Sequence, residues 1–200
     1  WHRALEISRR LGDQSGMAIT LHQMGMIAHD RGDYEEARRL YQESLEIARK
    51  LGDQSGMANT LHQLGMIAQD QGDYDEARRL YGDSLAIKER LGDQSGMAKT
   101  LNTLGIIDLA EDNFDAARER LGESLAIAER LVDRLQVGYA NWGLGGLEEK
   151  AGNIKAALIR LGKAEAIFRQ LGVPQAESVK QHLERLEQQP DIAGQVEEAD

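Results

Sequence analysis

The chain repeats itself every 40 residues. The run LGDQSGMA stands at Leu11–Ala18, again at Leu51–Ala58, and again at Leu91–Ala98. The block Gly12–Leu51 matches Gly52–Leu91 at 29 of 40 positions; a third copy is looser and a fourth has drifted further. A unit of this length cannot bury its apolar face alone. Stacked neighbours do that for one another, so the period predicts a solenoid of helix pairs.

Each period holds two helical patterns. In the second copy the first helix, A, is expected over about 54–71, with Met57, Ala58, Leu61, Leu64, Ile67 and Ala68 at the three-and-four spacing of a helical stripe. Gly72 stops it in the position favoured for a left-handed cap. Asp73 follows as an N-cap with Glu76 three residues on, the signature of a capping box. Helix B is expected over about 74–91, with Tyr74, Ala77, Leu80, Tyr81, Leu85 and Ile87 as its stripe, and Gly92 ends it. The same register places A helices near 14–31, 94–111 and 134–151, and B helices near 33–51, 113–131 and 153–171.

Helical pattern begins at Trp1, so 1–11 reads as the end of a truncated B helix. Four repeats follow, at 12–51, 52–91, 92–131 and 132–172. A polar capping helix is expected at 173–189 and an acidic, disordered tail at 190–200. Gly25, Gly65, Gly105 and Gly145 share one position of helix A, and Ala37, Ala77, Ala117 and Ala157 one position of helix B. A glycine inside a helix costs about 1 kcal/mol against alanine. Four at one phase imply a steric purpose: a bulky side chain of helix B seated on bare backbone.

These phases resemble the tetratricopeptide repeat. Copy two carries Leu61, Leu64-Gly65, Ala68, Gly72, Tyr74, Ala77, Tyr81 and Ser84, and copy one carries Leu21, Met24-Gly25, Ala28, Gly32, Tyr34, Ala37, Tyr41 and Ser44. Copies three and four keep Leu104-Gly105 and Leu144-Gly145 but depart from the pattern at Asp108, Asp112, Asn141 and Glu148. The six residues beyond the family's 34-residue unit resemble the longer subclass of the LGN-type spindle adaptor, kinesin light chain and bacterial NTPase-linked signalling proteins. The resemblance implies an all-α, right-handed superhelical solenoid of antiparallel helix pairs, with A helices lining a concave, partner-binding groove. The aligned groove positions are Ile19, His22 and Met26; Asn59, His62 and Met66; Lys99, Asn102 and Ile106; Tyr139 and Trp142. Lys99 is the only lysine or arginine among them, so the family's carboxylate clamp for chaperone tails is missing.

Methionine adapts to varied apolar partners, and tryptophan and tyrosine often supply binding hot spots. The expected function is therefore a non-catalytic scaffold or sensor holding a peptide or helix of a partner protein, within a larger signalling protein in the cytoplasm. Self-assembly into dimers or end-to-end oligomers is the alternative, through an apolar edge at Leu5, Ile7 and Leu11. A small-molecule or signalling-peptide receptor is a lesser one. The net charge of -10, with no basic run, points away from nucleic acid. No apolar run is long enough for a membrane helix. His22 and His62 fall on adjacent A helices, but no third ligand is fixed by spacing, so no metal or cofactor is expected. Recurrent acids read as structure: Asp33 and Asp73 as N-caps, Glu35–Arg39 and Asp75–Arg79 as surface pairs. No catalytic motif occurs, so no enzyme is expected.

Overall fold

The structure, a computed structural model, describes residues 1–188. The expected acidic tail and the end of the expected capping helix lie outside the described residues. The described chain is helical: α1 (His2–Leu11), α2 (Gln14–Asp30), α3 (Tyr34–Leu51), α4 (Gln54–Asp70), α5 (Tyr74–Leu91), α6 (Gln94–Ala110), α7 (Phe114–Arg130), α8 (Arg134–Lys150), α9 (Ile154–Leu171) and α10 (Gln175–Glu187). Two-to-three-residue turns join α1 through α10, which makes successive helices neighbours.

The LGDQSG run is the punctuation between helices. Gly12, Gly52 and Gly92 take φ near +70°, where only glycine is unstrained. The next residue, Asp13, Asp53 or Asp93, caps the following helix by accepting the N–H of Gly16, Gly56 or Gly96, each at 2.9 Å. A Cβ on those last glycines would stand 2.1–2.3 Å from the aspartate oxygen. Where the third helical residue has a side chain, the cap is longer: 3.3 Å for Asp33 to Glu36 and 3.1 Å for Asp73 to Glu76.

Two local expectations change. The capping box at Asp73 is half formed, because the Asp73 N–H donates to the Ala68 carbonyl and Arg79 holds the Glu76 carboxylate at 2.7 and 2.8 Å. The surface pairs also shift register. Arg39 forks onto Glu36 and reaches Glu43, and Arg79 forks onto Glu76 and reaches Asp83. The planar guanidinium takes both oxygens of the carboxylate three residues back.

The repeated glycines of the A helices do carry bulk. A Cβ on Gly25 would stand 2.7 Å from the Tyr41 ring, and on Gly65 2.8 Å from the Tyr81 ring. Leu121 covers Gly105 and Leu161 covers Gly145 in the same way. Buried hydroxyls tie the same helix pairs: Ser44 donates to the Ala18 carbonyl at 2.8 Å and Ser84 to the Ala58 carbonyl at 2.7 Å.

The chain divides into two compact units, residues 1–100 and 101–200. In the first, Leu5, Ala18, Leu21, Leu40 and Ile47 form a core joined by Met17 and Met24. In the second, Ala117, Leu121, Leu125, Ala140, Leu144 and Leu147 form one core. A further core there holds Leu161, Phe168, Val179 and Leu186, so α10 docks through a narrow apolar stripe. Glu149 pins α10 from outside, facing His182 Nε2 at 2.6 Å and accepting from Arg185 at 2.8 Å.

The departures from the repeat pattern in the second unit are compensated in pairs. Asp108 stands where copies one and two have Ala28 and Ala68, and Arg120 where they have Leu40 and Leu80. Asp108 is buried and paired with Arg120. Asn141 replaces a leucine of the A stripe, and its amide accepts from Arg160 at 3.2 Å and donates to the Val137 carbonyl at 2.9 Å. The turns hold too: Asp112 and Val132 replace turn glycines yet keep φ of 60° and 56°. The architecture is an all-α repeat solenoid of helix pairs.

Candidate functional site: two recesses on the helix faces

Most of the expected groove residues gather in two recesses, one in each unit. The first, about 260 Å³, opens between α2, α3 and α4. Ile19, His22, Met26 and Asn59 line it, together with Ala48, Asp53 and Thr60. Ile19 and Met26 are exposed at 57 % and 42 %, unusual for large apolar side chains on a packed helix. His22 is half-buried against Tyr41, its Nδ1 3.1 Å from the Thr60 hydroxyl. Burial lowers its pKa, which favours the neutral ring.

The second recess, about 360 Å³, lies in the other unit among α6, α8 and α10. Asn102, Ile106, Tyr139 and Trp142 line it with Gly143 and Gly146, and His182 closes one side. Tyr139 and Trp142 each stand edge-on to the buried Phe168, at 5.1 and 6.1 Å between ring centroids. The two rings are thus braced from behind, which limits the entropy lost when a partner covers them. Asn102 Oδ1 is buried without a hydrogen-bond partner, an acceptor that a donor group would relieve.

Three expected groove residues fall outside both recesses. Met66 is half-buried, and Lys99 is exposed. His62 is interior, 3 % exposed, with its ring 5.0 Å from that of Tyr81. Its surroundings differ from those of His22. Lys88 of α5 fills the space that Ala48 leaves open in the preceding copy, and its Nζ donates to the Thr100 hydroxyl at 2.9 Å. That hydroxyl also meets His62 Nδ1 at 3.3 Å. Residues from helix B were not among the sequence candidates. The signal was present in the repeat alignment, where Ala48 and Lys88 occupy one phase.

Among the described residues, no group of three or more histidine, cysteine, aspartate or glutamate side chains is placed to hold a metal ion. No described helix is long and apolar enough to cross a membrane.

Comparison with curated proteins gives no match. Solved structures share the fold. BtubC (BKLC) from P. vanneervenii is 20% identical with a TM-score of 0.71, covering 92% of this chain and 87% of that one. A Rap protein complexed with competence and sporulation factor is also 20% identical, TM-score 0.66, covering 92% of this chain and 56% of that one. RapI in its apo form is 14% identical, TM-score 0.72, covering 93% and 54%. The chain thus spans about half the length of the two Rap structures. At such identities the likeness shows the fold and does not sort the chain among the longer-repeat subclasses. The tetratricopeptide repeat model matches residues 1–50, 16–90, 56–130 and 96–170. The chain belongs to the tetratricopeptide repeat family, whose general role is that of a protein-interaction scaffold.

Proposed function

We propose that the chain is a non-catalytic recruitment module that holds a peptide or helix of a partner protein in its two recesses. It would serve as part of a larger cytoplasmic signalling protein, with four repeats at 12–51, 52–91, 92–131 and 132–172 and α10 as the cap. The observation that carries this reading is the braced pair Tyr139 and Trp142 in a recess also lined by Ile106 and Leu109. Aromatic and aliphatic walls suit an inserted apolar side chain. Ile19 and Met26 offer a second apolar contact in the first unit.

The test is selection of a displayed random-peptide library on the immobilised chain, followed by affinity measurement on Trp142→Ala and Met26→Lys. Peptides should enrich, and both variants should weaken them at least tenfold while keeping helical circular dichroism. Absence of enrichment on folded protein, or binding indifferent to both changes, overturns the reading.

A receptor for a signalling factor is a second reading, favoured by the shared fold with the Rap protein that holds competence and sporulation factor. Self-assembly is a third, favoured by Ile7 and Leu11, which expose 49 % and 76 % of their surface on α1. Light scattering across a concentration series separates assembly from the other two.

A further inference from the structure

Successive copies are closely alike, yet two of their differences meet at one place. Lys88 of copy two corresponds to Ala48 of copy one, and Lys99 of copy three corresponds to Asn59 of copy two. Where copies two and three meet, the Lys88 stem runs past Gly96: its Cδ lies 2.9 Å from where a Cβ on that glycine would stand. Its ammonium donates to Thr100 at 2.9 Å and is 3 % exposed. Burial is the main opponent of the charge there; the carboxylate of Asp93, in the turn before α6, favours it and Lys99 opposes it.

The recess one period earlier keeps the acceptors and omits the occupant. Thr60 takes the place of Thr100, Asp53 that of Asp93 and Gly56 that of Gly96, and all three line the open recess. The opposing Lys99 becomes neutral Asn59, and the filling Lys88 becomes Ala48. His22 in the wall is held neutral by burial. Asp53 is therefore the charged group of this lining, in a chain whose net charge is -10. Apolar wall, hydroxyl acceptor and one carboxylate complement an alkyl stem ending in a cation.

We propose that the recess between α2, α3 and α4 receives a lysine side chain of the partner protein, its ammonium directed at Thr60 and Asp53. The molecule displays the mode internally, in Lys88 on Thr100 beside Asp93. This inference rests on the peptide-binding reading above and names the residue read by one of its two recesses.

The probe is a blocked Gly-Lys-Gly peptide, titrated into the full chain with the methionine methyl groups observed by NMR. Matched peptides carry acetyl-lysine or norleucine in place of lysine. The lysine peptide should shift the Met26 methyl signal saturably. Acetyl-lysine and norleucine should each bind at least fivefold more weakly, and raised salt should weaken the lysine peptide. Ala48→Lys should abolish the response, because the variant fills its own recess as copy two does. Asp53→Asn preserves an N-cap and should weaken lysine binding about fivefold. Norleucine binding equal to lysine, or lysine binding that persists in Ala48→Lys with an intact circular dichroism spectrum, overturns the proposal. Such a result leaves the library selection on Trp142 standing, so the two failures are distinguishable.

Discussion

Lys88 Nζ donates to Thr100 Oγ1 at 2.9 Å from a site 3 % exposed to solvent. Burial pushes the Lys88 pKa down to about 8, and burial together with the Lys88 and Lys99 charges pushes that of His62 down to about 3. Both groups bind protons more weakly folded than unfolded. Between pH 8 and 10.5 the unfolded chain keeps a Lys88 proton that the folded chain has shed, so this lysine makes stability rise with pH across that window. Between pH 6.5 and 3 the unfolded chain gains a His62 proton that the folded chain refuses, so this histidine makes stability fall on acidification. Urea unfolding at pH 4, 7 and 9.5 checks both. Lys88→Met should flatten the alkaline rise. His62→Asn, the residue of copy three, should flatten the acid decline.

The two buried tyrosines differ at their hydroxyls. Tyr81 donates to Gln69 Oε1 at 3.0 Å, whereas the Tyr41 hydroxyl is buried without a partner. Copy one has His29 in the place of Gln69, and His29 Nε2 turns to Asp70 at 2.8 Å. Tyr81→Phe should therefore cost about 1 kcal/mol. Tyr41→Phe should be neutral or stabilising by a similar amount, since it removes an unsatisfied group. Thermal unfolding of the two variants side by side measures the difference; equal losses would contradict it.

The helix ends were legible in the sequence because glycine has so few alternatives at a left-handed cap. Gly72, read as a terminator, takes φ of 78°. Seating of a B-helix side chain on Gly65 was legible for the same reason: a costly residue at a fixed phase needs a steric cause. The ion-pair register was not legible, because spacing permits both Asp75 and Glu76 as partners of Arg79. Fork geometry chooses Glu76. The inward placing of His62 was hidden because it depends on what fills the neighbouring volume. His22 and His62 share a phase, but the buried Lys88 meets the Thr100 hydroxyl beside His62, whereas Ala48 stands at that phase in the open recess of His22. The use of Asp53 as a cap was overlooked beside the more obvious capping-box string at Asp73.

Val132 shows how strongly the turn geometry is imposed. It holds φ of 56° where the other turns of this phase hold Gly12, Gly52, Gly92 and Gly172. A β-branched side chain in this region costs roughly 1–2 kcal/mol. The Val132 side chain is 78 % exposed, so it recovers little by packing. Val132→Gly should raise stability by about 1 kcal/mol once the added freedom of the unfolded chain is counted. Asp112→Gly should gain less. Aspartate tolerates this conformation better, and the Asp112 carboxylate accepts from Lys150 at 2.6 Å. Chemical denaturation of both variants ranks them.

Asp108 and Arg120 make a pair whose value lies in its completeness. Asp108 is 1 % exposed, and the guanidinium of Arg120 binds it from the facing helix. Copies one and two fill the same two positions with alanine and leucine, and in copy two both, Ala68 and Leu80, are buried. Arg120→Leu alone removes the cation that holds a buried carboxylate, which costs about 3–5 kcal/mol. Asp108→Ala alone leaves a partly exposed arginine that water can reach, so its cost should be smaller. The double change Asp108→Ala, Arg120→Leu restores the packing of the earlier copies and should be neutral or stabilising by about 1–4 kcal/mol. A double-mutant cycle by urea unfolding reads the coupling directly. Additive losses would mean that the two side chains are not compensating for one another, and that the third copy is held by something other than this exchange.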